Sequence, residues 1–469
     1  MSRSATHPAP STSVAKRILV GRAVETARLE HTLLPKILAL PVFSSDALSS
    51  VAYATEEILI VLLTASATAK YLAFPIAIAI STLMVIVIAS YRQTVRAYPN
   101  GGGAYIVSRE NLGDYPGLIA ASALLVDYMM TVVVSTVAGV VAITSAAPSL
   151  GPHKVILAIG FVLLITLANL RGVKESGTVF AVPTYGFIVA IFIMVTIGLM
   201  QCLGGCPQAA EVEAIPGLAA TGGAVGLWII LRAFSSGSTA LTGVEAISNG
   251  VSAFRRPQAR NAAETLVLMG VIAISMFLGI SWLATHIDGI TVSEHRSVVA
   301  QIADTVFGGG FGFYVVQAFT AGILVLAANT AFQDFPRLSA ILARDHYMPR
   351  QFSNRGDRLV FSNGVIGLGL AACLVIYAFD ADLTRLIQMY VVGVFTSFTL
   401  SQTGMVRHWL AEKHKGADAQ KGWQRAIAIN AVGAVTTAVV LVVITATKFV
   451  HGAWLSILVM AAIVPLLKA

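Results

Sequence analysis

An acidic residue lies inside the first membrane-length apolar segment of this chain. Asp46 occurs within the run Phe-Ser-Ser-Asp-Ala-Leu-Ser-Ser at 43–50. A charged side chain at the bilayer centre costs roughly 2.5–3.5 kcal/mol on insertion scales, so an acid at this depth is a functional-site hypothesis by default. The serines around it suit a broken helix that lines a cavity, because irregular backbone at membrane depth is tolerated only away from lipid.

The composition is that of an integral membrane protein. Hydrophobic residues make up 56% of the 469 residues and charged residues only 12%, with a mean hydropathy of +0.79, whereas a soluble domain carries about 25% charged residues. Because about 20 apolar residues span a bilayer as a helix, the sequence predicts an all-α fold with twelve transmembrane helices. The predicted spans lie near 37–66, 71–91, 117–147, 154–170, 178–203, 225–250, 264–285, 311–331, 359–378, 383–406, 426–447 and 450–467.

The distribution of basic residues predicts the topology. With a cytoplasmic amino terminus, most of the 31 Lys and Arg residues fall in cytoplasmic segments, and the positive-inside rule places both termini on the cytoplasmic side of the cell membrane. The basic residues assigned to outer loops are Lys70, Lys154, Arg296, Arg385 and Lys448. We expect a cytoplasmic tail at 1–33 and a transmembrane domain at 34–469. The net charge of +8 then reflects topology, and no nucleic-acid partner is expected.

Two predicted spans are interrupted in a matching way. Phe-Ser-Ser begins at Phe43 in the first span and at Phe234 in the sixth, and each is followed by a short polar insert, Ala-Leu and a hydroxyl residue. Because the spans are five apart, the second enters from the opposite side, which predicts a 5+5 inverted repeat with discontinuous helices 1 and 6. Repeat one covers about 37–203, repeat two about 225–406, and helices 11–12 about 426–467. The alternative is that these small residues only pack membrane helices.

The first and third spans carry polar residues at helical spacing. Tyr53 lies two turns after Asp46, so its hydroxyl can share a face with the acid; packing at the membrane interface is the alternative. Asp127 lies deep in the third span, and Thr131 and Ser135 follow at i+4 and i+8. This stripe suits a water-filled path, whereas a hydrogen-bonded helix seam explains the hydroxyls but explains the acid poorly.

The sixth and tenth spans supply the remaining candidates. Thr242 and Glu245 follow the sixth-span interruption. Desolvation penalises the charged form of a carboxyl group at this depth, so Glu245 is a candidate proton carrier; a static ion pair with Arg232 is the alternative. Tyr390 begins the tenth span near the outer face, where it either closes over the site or anchors in the membrane interface.

Other polar features are less specific. Glu56 and Glu57 lie on the outer half of the first span, where they either attract cations or are simply solvated. Cys202 and Cys206 are interpreted as inert thiols, with a disulfide as the alternative. Glycines at 101–103 predict a flexible re-entrant connection or gate. No phosphate loop, nucleophile elbow or metal-ligating cluster occurs in the sequence, so the chain is not expected to be an enzyme.

Five short motifs spread over nearly the whole chain carry a family resemblance. They are Ser-Ser-Asp-Ala-Leu-Ser-Ser-Val-Ala-Tyr at 44–53, Tyr-Pro-Asn-Gly-Gly-Gly-Ala-Tyr at 98–105, Asn-Leu-Arg-Gly-Val-Lys-Glu-Ser at 169–176, Leu-Thr-Gly-Val-Glu-Ala-Ile-Ser at 241–248 and Asn-Thr-Ala-Phe-Gln-Asp-Phe-Pro-Arg-Leu at 329–338. Together they resemble the amino acid–polyamine–organocation (APC) superfamily. The motifs at 44–53 and 241–248 look like its KimA-like branch, which is grouped with KUP-type potassium/proton symporters.

The resemblance implies a LeuT/APC-type fold, with potassium as substrate, a proton as coupling ion and no cofactor. The implied potassium site consists of Asp46, Tyr53, Asp127 and Thr242. The residues that would line or gate it are Tyr128, Thr131, Ser135 and Tyr390, and Glu245 would couple the proton. Members of the branch usually dimerise through a cytosolic C-terminal domain, whereas residues 1–469 end just after the predicted twelfth span, so a homodimer remains in doubt.

The leading hypothesis is therefore proton-coupled potassium uptake by alternating access across a lipid bilayer. The alternative is a proton-coupled amino-acid or polyamine permease on the same fold. Asp46 would repel the carboxylate of an amino acid, which usually binds free amides at a helix break, but it would not repel a polyamine. A passive channel is a third class, against which the predicted inverted repeat argues.

Overall fold

The structure, a computed structural model, describes residues 33–99, 101, 103–171, 177–215, 217–218, 225–353, 361–413 and 422–468. This part of the chain is helical throughout, apart from short connections and two isolated β-bridges. The α-helices are α1 (Lys36–Ser49), α2 (Val51–Ala65), α3 (Ala73–Ala97), α4 (Ala104–Leu112), α5 (Asp114–Ala146), α6 (Lys154–Leu170), α7 (Gly177–Cys202), α8 (Leu227–Gly237), α9 (Ala246–Asn249), α10 (Gln258–His286), α11 (Val298–Phe307), α12 (Phe311–Arg344), α13 (Ser362–Ala378), α14 (Leu383–Lys413), α15 (Trp423–Lys448) and α16 (Ala453–Lys468).

Within the described ranges, nine helical segments are long and apolar enough to cross a membrane. They coincide with the first five predicted spans and with the seventh, eighth, tenth and eleventh. The multi-pass membrane protein predicted from the sequence is therefore confirmed. The ninth and twelfth predicted spans correspond to α13 and α16, which have 17 and 16 residues, and the sixth is divided. The count of twelve stays a prediction.

The centre of the bundle is formed by α5, which is buried along most of its length and packs against both α12 and α14. One short helix, α11, was not predicted from the sequence. It begins after Ser297, whose hydroxyl accepts a hydrogen bond from the Ala300 amide at 3.2 Å, and it ends at Gly308 in the left-handed conformation. Both ends are therefore standard helix caps.

The two predicted interruptions differ in depth. The first is limited to Ser50, which keeps helical dihedral angles of −62° and −24° between α1 and α2. The second is a true break: after α8 the chain makes a 3-10 turn at Ser238–Leu241, becomes extended at Thr242, and adopts a φ of +77° at Gly243 before α9. Only the sixth segment thus interrupts the helical backbone over several residues.

The interrupted segments run antiparallel in direct contact. Early in the first segment, a side chain at Gly250 would collide with the ring of Phe43. Late in the same segment, a side chain at Gly237 would collide with Ile58. The start of the first segment therefore contacts the end of the sixth, and the end of the first contacts the start of the sixth. The two glycines permit this close approach.

On the face that the predicted topology makes cytoplasmic, α4 contacts the end of α12. Arg109 forms an ion pair with Asp345, and the Tyr105 hydroxyl donates a hydrogen bond to the same carboxylate at 2.7 Å. Burial, followed by the hydrogen bond to Asp345, raises the pKa of Tyr105 well above its usual value. Tyr105 therefore stays a hydrogen-bond donor at physiological pH.

Several smaller predictions are resolved here. Cys202 and Cys206 form a disulfide bond, so their interpretation as inert thiols is wrong, and Cys373 is a free thiol. Lys448, assigned from the sequence to an outer loop, instead ends α15 and is fully buried. Residues 1–32 of the predicted cytoplasmic tail at 1–33 lie outside the described residues, as do residues 172–176 of one family motif.

A buried amide network joins α14 to α15. The Asn430 side chain is fully buried, donates to Gln402 Oε1 at 2.7 Å, and accepts from the Trp409 indole at 3.1 Å. We expect Asn430→Ala to leave both partners unsatisfied and to lower the free energy of unfolding by about 1–3 kcal/mol.

The measurement is the Tm of purified protein in detergent. Val439→Ala on the exposed face of the same helix is the matched control. A Tm for Asn430→Ala no lower than that of the control would contradict the prediction.

Candidate functional site

Asp46 lies in the last turn of α1, where only 6% of the residue is exposed. Its backbone carbonyl accepts hydrogen bonds from the hydroxyls of Ser49 and Ser50, at 2.9 and 3.0 Å. Among the described residues, its carboxylate oxygen Oδ1 has no hydrogen-bond partner. The serines therefore satisfy the backbone, while the carboxylate stays available for a ligand.

A chain of hydroxyl groups connects the first segment to the broken sixth segment. Ser50 Oγ lies 2.9 Å from the Tyr53 hydroxyl and 2.6 Å from Thr242 Oγ1. The Thr242 hydroxyl also donates to the Thr239 carbonyl at 2.9 Å. Tyr53 and Thr242, predicted separately from two distant segments, are thus joined through Ser50.

Gly243 lets the sixth segment lie directly against the acid. Its φ of +77° is readily available only to glycine, and a Cβ at this position would come within 2.7 Å of both Asp46 Oδ2 and the Ala47 amide nitrogen. The absence of a side chain therefore brings the backbone of the break against the Asp46 carboxylate.

Two further acids lie beside Asp46. Asp127 in α5 and Glu245, just before α9, are both buried and lie within hydrogen-bonding range of each other. Asp127 Oδ1 and Glu245 Oε2 have no hydrogen-bond partner among the described residues. Carboxyl groups this close in a water-poor site do not both carry full charge without a proton or a cation between them. The arrangement is suited to exchanging a proton for a cation.

The proposed alternative pairing of Glu245 with Arg232 is not formed between these two described side chains. Arg232 lies instead within electrostatic range of Lys448 and His451. Glu245 is surrounded by acids, since Asp334 also contributes to its electrostatic environment. The site therefore has an excess of negative charge.

The predicted polar face of α5 is buried within the protein. Thr131 Oγ1 lies 2.7 Å from the Tyr390 hydroxyl of α14, and both residues are almost completely buried. Ser135 Oγ has no partner in the described part of the chain. Tyr390 lies within electrostatic range of Asp46 and Asp127, so its alternative placement in the membrane interface is wrong.

Below the acids, the sixth segment contacts the glycine-rich loop. The Asn249 side chain donates to the Tyr128 hydroxyl at 2.8 Å. A Cβ on Gly103 would lie 2.6 Å from Asn249 Oδ1, and one on Gly101 would lie 3.1 Å from the Asn249 carbonyl oxygen. Of the three glycines predicted to form a flexible connection or gate, Gly101 and Gly103 thus pack closely against the end of the broken segment, and Gly102 lies outside the described residues.

A cavity of about 950 Å³ opens on the other side of the acids. Of the predicted site residues, Tyr53 lines it, and Asp46 lies beyond Tyr53. The charged residues that line it are Glu56, Glu57, Lys154, Glu294 and Asp382. The cavity gives a solvent path that reaches Tyr53.

The site is built from oxygen atoms, namely carboxylates, hydroxyls and the carbonyls freed by the break. Oxygen ligands are those preferred by hard cations, including monovalent ones. In the part of the chain that the structure describes, no group of three or more His, Cys, Asp or Glu side chains is arranged to hold a metal ion. The oxygen ligands of the site therefore fit a hard cation.

Sequence reasoning missed three contributors to this site. Ser50 carries the hydroxyl chain, and its position four residues after Asp46 was the available signal. Asn249 bridges to Tyr128, and Asp334 adds a fourth nearby carboxylate. Asp334 belongs to the family motif at 329–338, but its proximity to the acids, like that of Asn249, depends on how the sixth segment and α12 pack. The first residues of two family motifs, Asn169 and Asn329, also hydrogen-bond each other at 2.6 Å.

A multi-pass helical protein whose buried acids meet at an interrupted membrane helix has the architecture of a secondary transporter. The chain belongs to the amino acid permease family, whose family model matches residues 39–465. The resemblance to the APC superfamily is thereby confirmed.

Three similar proteins illustrate the relationship. The chain is 48% identical over 434 residues to the potassium transporter KimA of Bacillus subtilis (strain 168), covering 92% of this chain and 70% of that one. It is 22% identical over 351 residues to the low-affinity putrescine importer PlaP of Escherichia coli (strain K12), covering 72% of this chain and 74% of that one. A crystal structure of the Eremococcus coleocola manganese transporter aligns with a TM-score of 0.46 at 12% identity, covering 92% and 94%. The family is one of permeases, and the two sequence relatives KimA and PlaP are transporters, which confirms that the chain is not an enzyme.

The contact between Gly243 and Asp46 makes a direct prediction. Gly243→Ala forces a side chain into the left-handed region and against the carboxylate, and we expect it to lower the free energy of unfolding by about 1–3 kcal/mol. The Tm in detergent measures this. Gly367→Ala in α13 is the control, because a Cβ there meets open space. Equal Tm values for the two variants would show that Gly243 does not need to be glycine.

Proposed function

We propose that this protein is a secondary active transporter that takes up potassium together with protons by alternating access. The observation that carries the proposal is the oxygen-lined site at the break, where Asp46 has a carboxylate oxygen with no partner among the described residues. The 48% identity to a potassium transporter supports the choice of ion.

In this proposal the potassium site consists of Asp46, Tyr53, Asp127 and Thr242. Potassium exchanges its hydration shell for carboxylate, hydroxyl and carbonyl oxygens, and these four residues come from three separate segments that meet at the break. Tyr128, Thr131, Ser135 and Tyr390 line or gate the site.

The proton-coupling residue in this proposal is Glu245. It lies beside Asp127, so a cation bound at Asp127 and a proton bound at Glu245 neutralise neighbouring charges. Binding both together removes the excess negative charge of the site, which favours moving them across the membrane as a pair. Releasing both restores that charge and resets the carrier.

Alternating access would occur around this fixed site. On the outer side, Tyr53 separates the cavity from Asp46. On the inner side, the Asn249–Tyr128 hydrogen bond and the Arg109–Asp345 ion pair close the path. The structure described here has its large cavity on the side of Tyr53, which corresponds to an outward-facing arrangement in the proposed topology.

The proposed architecture follows from the same assignment. It has twelve transmembrane helices in a 5+5 inverted repeat, with helix 1 interrupted only at Ser50, helix 6 broken over several residues, and helices 11–12 added. The antiparallel contact between the two interrupted segments supports the repeat. We place residues 1–33 as a tail and 34–469 as the transporter domain, with both termini cytoplasmic, in the cell membrane. No cofactor is part of the proposal, and a homodimer is left open.

The second candidate is a proton-coupled amino-acid or polyamine permease. The 22% identity to a putrescine importer favours the polyamine version, because the acids at the site would attract an organic cation as well. Competition by unlabelled putrescine separates the two candidates.

The first prediction concerns transport. Purified protein in liposomes should take up potassium, faster with an inward proton gradient and unaffected by excess putrescine or amino acids. Asp46→Asn should abolish uptake, because it removes the charge of a central ligand, whereas Asp288→Asn at an exposed position should not. Wild-type uptake in folded Asp46→Asn would contradict the potassium site, and putrescine uptake without potassium uptake would favour the second candidate.

The second prediction concerns coupling. Glu245→Gln keeps the size of the side chain but cannot exchange a proton, so potassium entry should lose its stimulation by an inward proton gradient. Initial rates in liposomes with and without the gradient measure this, and Glu211→Gln, at an exposed position, is the control. Undiminished stimulation in Glu245→Gln would exclude Glu245 as the coupling residue.

A further inference from the structure

A buried acid in the cavity on the outer side of Tyr53 has no role in the proposed potassium site at Asp46, which is called the central site below. Glu57 of α2 is only 2% exposed, yet it lines the cavity that opens above Tyr53. Its carboxylate oxygen Oε2 has no hydrogen-bond partner among the described residues. The expectation that Glu57 is simply solvated is therefore wrong. A buried, unpartnered carboxylate is costly unless a proton or a cation neutralises it.

Other oxygen atoms surround this carboxylate. Tyr53 precedes Glu57 by four residues, so both lie on the same face of α2 and both line the cavity. Thr384 at the start of α14 lines the same cavity and lies near the Glu57 carboxyl group. Glu57 and Thr384 thus form a small oxygen-lined pocket one helical turn outside the central site, and Tyr53 of that site is the inner wall of the pocket.

The neighbouring acid Glu56 does not share this property. Its Oε2 accepts a hydrogen bond from the Val298 amide at 3.2 Å, at the start of α11. Asp382, which also lines the cavity, lies within electrostatic range of Glu57 but pairs with Arg385 at 3.0 Å. Of these three acids, Glu57 is the one with a fully buried carboxylate oxygen that has no hydrogen-bond partner among the described residues.

A buried lysine lies opposite. Lys448 at the end of α15 is fully buried, and its ammonium group has no hydrogen-bond partner among the described residues. It lies within electrostatic range of Glu57, and the described ion pairs do not include one between them. A static structural pair would be in contact. Here the two charges attract across a gap, so Lys448 reduces but does not cancel the negative charge at Glu57.

We propose that Glu57, with the hydroxyls of Thr384 and Tyr53, forms an outer binding site for a monovalent cation, occupied before the ion reaches Asp46. The identity of the ion as potassium rests on the proposed function. One carboxylate with neutral oxygens suits a single positive charge, and the described residues hold no group of acids arranged for a multivalent metal.

Lys448 gives this site a suitable affinity. An ion on a conduction path must bind well enough to enter and weakly enough to leave. A bare buried carboxylate would hold a cation too firmly, and the nearby ammonium weakens that attraction. The two residues should therefore act in opposite directions on the apparent affinity for the transported ion.

The first test is the potassium concentration at half-maximal uptake. Glu57→Gln should raise it about tenfold with little change in the maximal rate, and Lys448→Met should lower it. Glu294→Gln, an exposed acid in the same cavity wall, should leave it unchanged. If Glu57 and Lys448 serve only as a structural pair, both variants should lower the Tm. The half-saturating potassium concentration should then not shift in opposite directions in the two variants. That pattern overturns the proposal.

The second test measures ion binding without transport, using radioactive thallium(I) on purified protein at equilibrium. Wild-type protein should bind two ions, Glu57→Gln and Asp46→Asn one each, and the double variant none. One ion bound by wild type and retained in Glu57→Gln overturns the outer site. Two ions bound by wild type that shows no potassium uptake would preserve the outer site while rejecting the proposed function.

Discussion

The cost of burying a carboxylate within a membrane is the constraint on which the rest of this structure depends. Three acids, Asp46, Asp127 and Glu245, lie close together away from solvent, and a bilayer interior offers no water to stabilise their charges. Burying these acids is energetically acceptable only where interrupted backbone and hydroxyl groups provide a polar environment, and where a cation or proton neutralises the carboxylates. The interruption of the sixth segment, the glycine beside Asp46 and the serines after it all serve that requirement.

The same constraint explains why so much of the site is visible in the sequence. Asp46, Asp127 and Glu245 stand out because acids are rare at membrane depth, and Thr242 because it follows a matching motif. The structure brings these four together. The resemblance to the amino acid permease family also covers nearly the whole chain, so fold class and transporter character were predictable.

What the sequence did not reveal depends on tertiary packing. The run of serines predicted a break in the first helix, but the backbone there stays nearly helical. The Ser50 amide still donates to the Asp46 carbonyl at 3.2 Å, and the hydroxyls of Ser49 and Ser50 bond to the same carbonyl. Lys448 was read as a loop residue because charge usually marks solvent, whereas its ammonium lies buried opposite Glu57. Without the positions of the neighbouring helices, no sequence pattern distinguishes a buried lysine from a loop lysine, or a continuous helix from an interrupted one.

The antiparallel contact between the two interrupted segments has a consequence for how such a sequence can change over time. Phe43 fits against Gly250 and Ile58 against Gly237, so a large residue on one segment is matched by the smallest on the other. A substitution that enlarges one side chain of a pair requires a smaller side chain at the position it contacts. Homologous chains should therefore vary at these positions in pairs, with total side-chain volume held nearly constant, even though the partners are about 180 to 210 residues apart in the sequence.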